Sequence, residues 1–409
     1  MSDTLQLGEP ETPPVEAPRP RNRSRLALLK RLADVVSLPS SRVNSFERSV
    51  TADLLVEILR DAEFDERARV ARRLANLVEI PNCLVRLILR DELDIALPLL
   101  TECSSLSDAD LLDCARHATG AHRRLIALRR GVSEVVSEAL VDFGETLVVE
   151  ALLRNDQAKL SPAAVETVVA MTQNQPHLAA LLLRRPELRP NHAYVMFWWA
   201  DADGRRTILQ RFAVSREVLQ EAAGDVFPMA AAEGWQDVLT RKALQFIERR
   251  QRNRAATEKS PFESLDAAID AAEPGMTREI AEEIAYLAGV KPMTAAKIMT
   301  DVGGEPLAVL CKATGLPRAA LRQLWRALRR PEATSAGEPT EALTRVLQVF
   351  DMVAVDRAQT VLRYWNWSLS SAMTPALMKA IREADDAALD EFSVPQRAAM
   401  LAFGADLKR

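Results

Sequence analysis

A capping residue followed by an apolar stripe recurs along this chain at a near-fixed interval. Ser107 (SDADLLDCA), Ser133 (SEVVSEALV), Ser161 (SPAAVETVV), Asn191 (NHAYVMFWW) and Ser215 (SREVLQEAA) stand 26, 28, 30 and 24 residues apart. Each interval holds a second apolar segment: HRRLIALRR from His122, GETLVVEALL from Gly144, QPHLAALLLRR from Gln175 and GRRTILQRF from Gly204, with LDIALPLL from Leu93 preceding Ser107. A period of this size is that of stacked helix pairs, in which one amphipathic pair cannot bury its inner face alone and its neighbours supply the burial. The fold class it predicts is all-α: an α-solenoid of antiparallel helix pairs, followed by a smaller helical C-terminal block.

Composition agrees with helix rather than sheet. The 409 residues include only 14 glycines and 5% aromatics, while runs rich in Ala, Leu, Arg and Glu are strong helix formers. Formal net charge is −4, which exerts no global pull toward nucleic acid or acidic membrane. Nine of the 53 basic residues are Lys and the rest Arg, the better residue for planar, bidentate pairing. No apolar run is long enough for a membrane span, no basic start followed by an apolar stretch marks a signal peptide, and the four cysteines show no framework spacing. The expectation is a cytoplasmic protein with reduced thiols and no membrane insertion.

Residues 1–23 read as a Pro-rich disordered tail, and a helix can begin near Arg23–Ser24 with Leu26, Leu29 and Leu32 on one side. The repeat domain spans 24–250 and the array proper starts near Val50. Pro81 lies 26 residues before Ser107 and belongs to the same period. A linker over 251–262 leads to a helical hairpin block over 263–330. There, Gly289 and Gly315 are 26 residues apart and Pro292 and Pro317 are 25 apart, as in two copies of one unit. A second linker covers 331–340, and C-terminal helices fill 341–409. Ser107 with Asp110 three residues on is a variant capping box, and Pro162 after Ser161 is the favoured first helical residue.

Few constellations point to chemistry. The chain has no Gly-rich phosphate loop, G-x-S-x-G, H-E-x-x-H or C-x-x-C motif, and its four histidines stand outside any motif, so no catalytic residue, cofactor or metal is expected. Cys103, Cys114, His117 and His122 fall within 20 residues, but Cys114 lies on an apolar stripe where a small buried hydrophobe belongs. Trp198 and Trp199, with Asp201, Asp203, Arg205 and Arg206, form the most chemically varied segment. Adjacent tryptophans on one helix point about 100° apart, so at most one joins the core seam. Arg90, Arg129, Arg130, Arg154, Arg184 and Arg185 recur near the ends of second helices, where they serve either a partner or the helix dipole. The segment Arg241–Arg254 carries six basic residues against one acidic, and Leu307–Leu328 has the outline of a helix-turn-helix with Arg318, Arg322, Arg326 and Arg329 along its second helix.

The stretch LVRLILRDELDIALPLL…LSDADLL…IALRRGVSEVVSEALVDFGETLVVEALLRNDQAKLSPAAVETVV resembles the DUF2336 family, through the pieces DIA-P-L, LSD-DLL, IA-R--VSE-VS-AL and V---LL-N--A--S--A. The resemblance runs from about Arg42 to about Arg250, and GEPLAVLCKATGLPRAALRQLW is similar to an extension that some members carry. It implies a HEAT-like solenoid and a cytoplasmic alphaproteobacterial protein, and it supplies no catalytic residues. The leading expectation is a non-enzymatic scaffold or regulatory adaptor that binds a protein partner through Arg184, Arg185, Trp198, Trp199, Arg205 and Arg206. The alternative is a nucleic-acid-binding regulator using Arg249, Arg250, Arg252, Arg318 and Arg322. A third reading is a glycosylase-like hydrolase on a HEAT-like scaffold, with Asp201 essential.

Overall fold

The computed structural model describes residues 20–39, 41–77, 79–215, 218–219 and 254–371. Among them the secondary structure is helical, apart from one isolated antiparallel bridge, Ala333–Pro339. The chain divides into two compact units, Met1–Lys159 and Leu160–Arg409. The division falls inside the expected 24–250 domain.

The first unit holds α1 (Pro20–Val36), α2 (Ser45–Arg60), α3 (Phe64–Ala75), α4 (Asn82–Leu89), α5 (Leu93–Glu102), α6 (Asp108–His117), α7 (Gly120–Ala127), α8 (Glu134–Asp142) and α9 (Thr146–Arg154). These helices pack two apart in sequence: α2 on α4, α4 on α6 and α6 on α8, while α3 packs on α5, α5 on α7 and α7 on α9. The capping residues do what their spacing predicts. Ser107 Oγ accepts from Asp110 N (3.3 Å) and Asp110 Oδ2 accepts from Ser107 N (3.1 Å), closing the capping box. Ser133 caps α8 through Val136 N at 3.3 Å.

Successive repeats are stitched by side chains that reach back to the open end of an earlier helix. A helix leaves its last carbonyls without internal partners. Arg129, just past α7, donates to the carbonyls of Leu99 (3.2 Å), Leu100 and Cys103 (2.7 Å) at the end of α5. Asn155, past α9, donates to Ala127 O (2.8 Å) and Arg129 O (2.6 Å) at the end of α7.

The second unit holds α10 (Pro162–Thr172), α11 (Pro176–Leu182), α12 (Pro190–Met196), α13 (Ala202–Arg211), α14 (Leu265–Ala271), α15 (Arg278–Leu287), α16 (Pro292–Thr300), α17 (Glu305–Thr314), α18 (Arg318–Ala327), α19 (Glu341–Met352) and α20 (Val355–Ser371). Ser161 caps α10 through Ala164 N (3.0 Å), with Pro162 at the first helical position. Asn191 is not a cap: Pro190 starts α12, Arg189 holds the cap position and Asn191 is buried inside the helix. Proline fits the first turn because the N–H it lacks would have no helical partner there. Helix α12 packs on α20 and α13 on α19, which gathers residues from 160 onward and the later block into one unit.

Helix α17, buried from Glu305 to Cys311, is the centre of this unit and packs against α16, α18, α19 and α20. The paired turns expected after α15 and α17 have the same geometry. Gly289 and Gly315 take φ of 69° and 82°, the left-handed region that glycine enters without strain. Val290 N donates to Ala285 O and Leu316 N to Cys311 O, both at 2.9 Å, the long bond of a Schellman ending. In the stretch 251–262, which the sequence marks as a linker, residues 254–259 are helical.

Candidate interaction surface

The segment expected to face a partner is largely interior to the second unit. Residues 191–198 are all buried, because NHAYVMFW is apolar round most of the helix and such a helix sinks into a core. Trp198 packs at a tilt of 51° against Trp365 (4.9 Å between ring centroids) and meets Phe197 edge-on at 5.9 Å, while Phe197 and Trp365 lie 4.8 Å apart. Trp365 Nε1 donates to Tyr194 O at 3.1 Å. Trp199 is half-buried and donates from Nε1 to Thr172 Oγ1 at 3.0 Å. Arg185, 3% exposed, grips Glu187 through Nη2 (2.7 Å) and Nε (3.1 Å). Arg184 and Arg206 stand at the surface.

Arg205 is also internal, and its partners could not have been read from spacing. It is 8% exposed and donates through Nη1 and Nη2 to the Asp301 carboxylate, both at 2.8 Å, and through Nη1 to Glu305 Oε2 at 2.8 Å. Its guanidinium also lies 4.9 Å over the Phe197 ring. Burial opposes its charge, but the two carboxylates outweigh burial and raise its pKa. Beside it, Arg330 donates to Met299 O (2.9 Å) and Asp301 O (2.6 Å) and stacks over Trp325 at 5.0 Å. A Cβ on Gly304 would fall 2.5 Å from the Trp325 ring, so this loop requires glycine for close approach.

Of the candidate nucleic-acid contacts, Arg249, Arg250 and Arg252 lie outside the described residues. Arg318, Arg322, Arg326 and Arg329 are all exposed on or just past α18. Acidic groups stand among them: Arg318 Nη2 lies 3.3 Å from Asp351 and Arg326 Nε 3.9 Å from Glu332. The four metal-type residues have separate partners. Cys114 donates to Leu89 O (3.3 Å), with its thiol pushed up to about 12 by burial; Cys103 meets Ser105 Oγ (3.2 Å); His117 meets Asp113 O (2.9 Å); and His122 is buried. Asp201 caps α13, accepting from Gly204 N at 2.7 Å.

The first unit offers a different surface. A groove of about 580 Å³ runs along α7 between the first residues of α5 and α9. Leu93, Leu125, Leu128 and Leu147 form its apolar lining, with Arg124 and Glu145 as its charged residues. Leu128 is 53% exposed and Leu147 63%, although neighbouring positions on the same helices (Ile126, Ala127, Val148 and Val149) are fully inside. Glu145 is committed to Arg123, whose Nε donates to it at 2.9 Å and holds its carboxyl below the usual range. Arg124 has no ion-pair partner among the described residues. The sequence does carry a trace of this surface. RLIAL and TLVV are wider apolar runs than a buried stripe needs, so one position in each must face outward.

Among the described residues no helix is long and apolar enough to cross a membrane, and no group of three or more His, Cys, Asp or Glu is placed to hold a metal ion. No curated protein and no solved structure matches the chain. Among known families, DUF2336, described as uncharacterised protein conserved in bacteria, matches residues 95–363. That match starts later than the expected boundary and takes in the block over 304–325, which is therefore part of the family's own pattern rather than an extension. It spans the groove helices α7 and α9, the buried Arg205–Asp301–Glu305 cluster and the α17–α18 hairpin, and the chain belongs to the DUF2336 family.

Proposed function

We propose that this protein is a non-enzymatic adaptor: a HEAT-like α-solenoid of antiparallel helix pairs that holds a protein partner on its surface. The observation that carries the reading is the groove along α5, α7 and α9, where the exposed Leu128 and Leu147 stand beside the half-buried Leu93 and Leu125. Exposed apolar patches that are not scattered singly mark interaction sites. The two rows of the first unit also give a repeat array the extended face on which such proteins bind. The setting we infer is the bacterial cytoplasm, consistent with four free cysteines.

The test places a photo-crosslinking residue at Leu128, at Leu147 and, as control, at the exposed Arg206, in the full-length chain inside its native cell. The expected result is one protein crosslinked from both groove positions and absent from the control. Equal, diffuse products from all three positions would remove the reading. A second reading, a nucleic-acid-binding regulator using the Arg241–Arg254 segment and the α17–α18 hairpin, is supported by the exposed Arg318, Arg322 and Arg326 of α18 and Arg329 just past it. It requires duplex binding that falls steeply with salt and weakens in Arg318→Ala and Arg322→Ala.

A further inference from the structure

The chemistry of the groove narrows what it can hold. Its leucines come from three helices, so an occupant must be apolar along a continuous face, and the recess suits a helix with anchors at i, i+3/i+4 and i+7. Nucleic acid offers no such face. The sign of the occupant's charge follows from the lining. Glu145 already has Arg123, whereas Arg124 has no carboxylate partner among the described residues. The helix ends do not change that sign: Glu92 and Asp94 place carboxylates at the start of α5, and Glu145 stands at the start of α9 and beside Gly120 of α7, so Arg124 alone sets the preference. A basic helix would bring its cations against Arg124.

We propose that the groove between α5, α7 and α9 receives an amphipathic helix of a partner protein, with its apolar face on Leu125, Leu128 and Leu147 and a carboxylate paired with Arg124. This rests on the adaptor reading and specifies its partner. An interface of this kind is centred on a few apolar anchors, with charge setting the choice between partners more than the total affinity.

The experiment uses the full-length protein and two labelled helical peptides of roughly five turns with the same leucine stripe, one bearing Glu and one Lys on the remaining face. Fluorescence anisotropy reads binding. The expected result is that the Glu peptide binds at least about tenfold more tightly than the Lys peptide. Leu128→Glu should abolish binding of both, and Arg124→Glu should reverse the preference. Leu128 is more than half exposed and Arg124 exposed, so both variants keep the fold, which circular dichroism checks. If the two peptides bind alike, or Arg124→Glu leaves the preference unchanged, the acidic partner is overturned while the leucine dependence still upholds the groove as an interaction surface. If neither peptide binds, or Leu128→Glu and Leu147→Glu change nothing, the groove fails in both readings. A dimer in sedimentation that Leu128→Glu dissociates overturns the proposal in favour of a second copy of the chain.

Discussion

Arg129 binds three carbonyls of the preceding repeat, those of Leu99, Leu100 and Cys103 at the end of α5. Leu99 O also accepts from Cys103 N at 3.3 Å, so removal of Arg129 would bear mainly on Leu100 and Cys103. Arg129→Ala is expected to cost about 1–3 kcal/mol in urea unfolding, and Arg129→Lys to recover little, because one ammonium cannot span three acceptors. His122 gives a pH dependence. It is buried, and since a carbonyl only accepts, its Nε2–H donates to Asp91 O (3.1 Å) while Nδ1 accepts from Thr119 (2.8 Å). Burial lowers its pKa below the ordinary 6.5. The stability that His122 contributes is therefore complete above that ordinary value and declines as pH falls from it toward the lowered one. Thermal melts across this range should show a smaller acid loss for His122→Gln, and an identical slope would refute the assignment. The sequence marks arginines at second-helix ends, but the same residue type serves a dipole, a partner or a neighbouring helix. Only packing tells Arg129, bound to carbonyls, from Arg90, whose Nε pairs with Asp113 at 3.0 Å.

Helix starts were legible where local chemistry alone decides them. Ser107, Ser133 and Ser161 cap through their own hydroxyls, a choice made within four residues. Asn191 was not, because Pro190 competes for the same turn and wins by its fixed φ. The hairpin α17–Gly315–α18 was also legible, since a Schellman ending needs only a glycine and an apolar residue after it. Gly315 has open space around a would-be Cβ, whereas Gly304 faces Trp325. Gly315→Ala should therefore cost about 1 kcal/mol, the strain of positive φ alone, and Gly304→Ala clearly more. Denaturation midpoints of the two variants compare them directly, and equal losses would rule out the steric account. The exposed Leu128 and Leu147 were hidden because a helix-period pattern places leucines on a face without saying which neighbour covers it.

At the scale of the whole molecule, what holds together and what is legible part company. All-helical architecture follows from period and composition. The buried cluster joining Arg205 to Asp301 and Glu305 crosses 96 and 100 residues of sequence, and no periodicity records such a pairing. Arg205→Met should cost about 3–5 kcal/mol by leaving two carboxylates buried and unpaired, with part recovered when Asp301→Asn and Glu305→Gln are added. Chemical denaturation of the full chain measures both, and a loss no larger than that of a surface substitution would refute the role. The pairing of Arg205 also explains why the varied segment around it looked like a binding site: buried ion pairs and aromatic clusters use the same residue types as interfaces. The backward reach of the guanidiniums has a consequence for synthesis. Arg129, Arg211 and Arg330 each turn to carbonyls that left the ribosome 26 to 31 residues earlier. Every such helix end waits only for the repeat that follows it, so these stitches close in the order of translation and leave the open ends at the growing edge of the nascent chain.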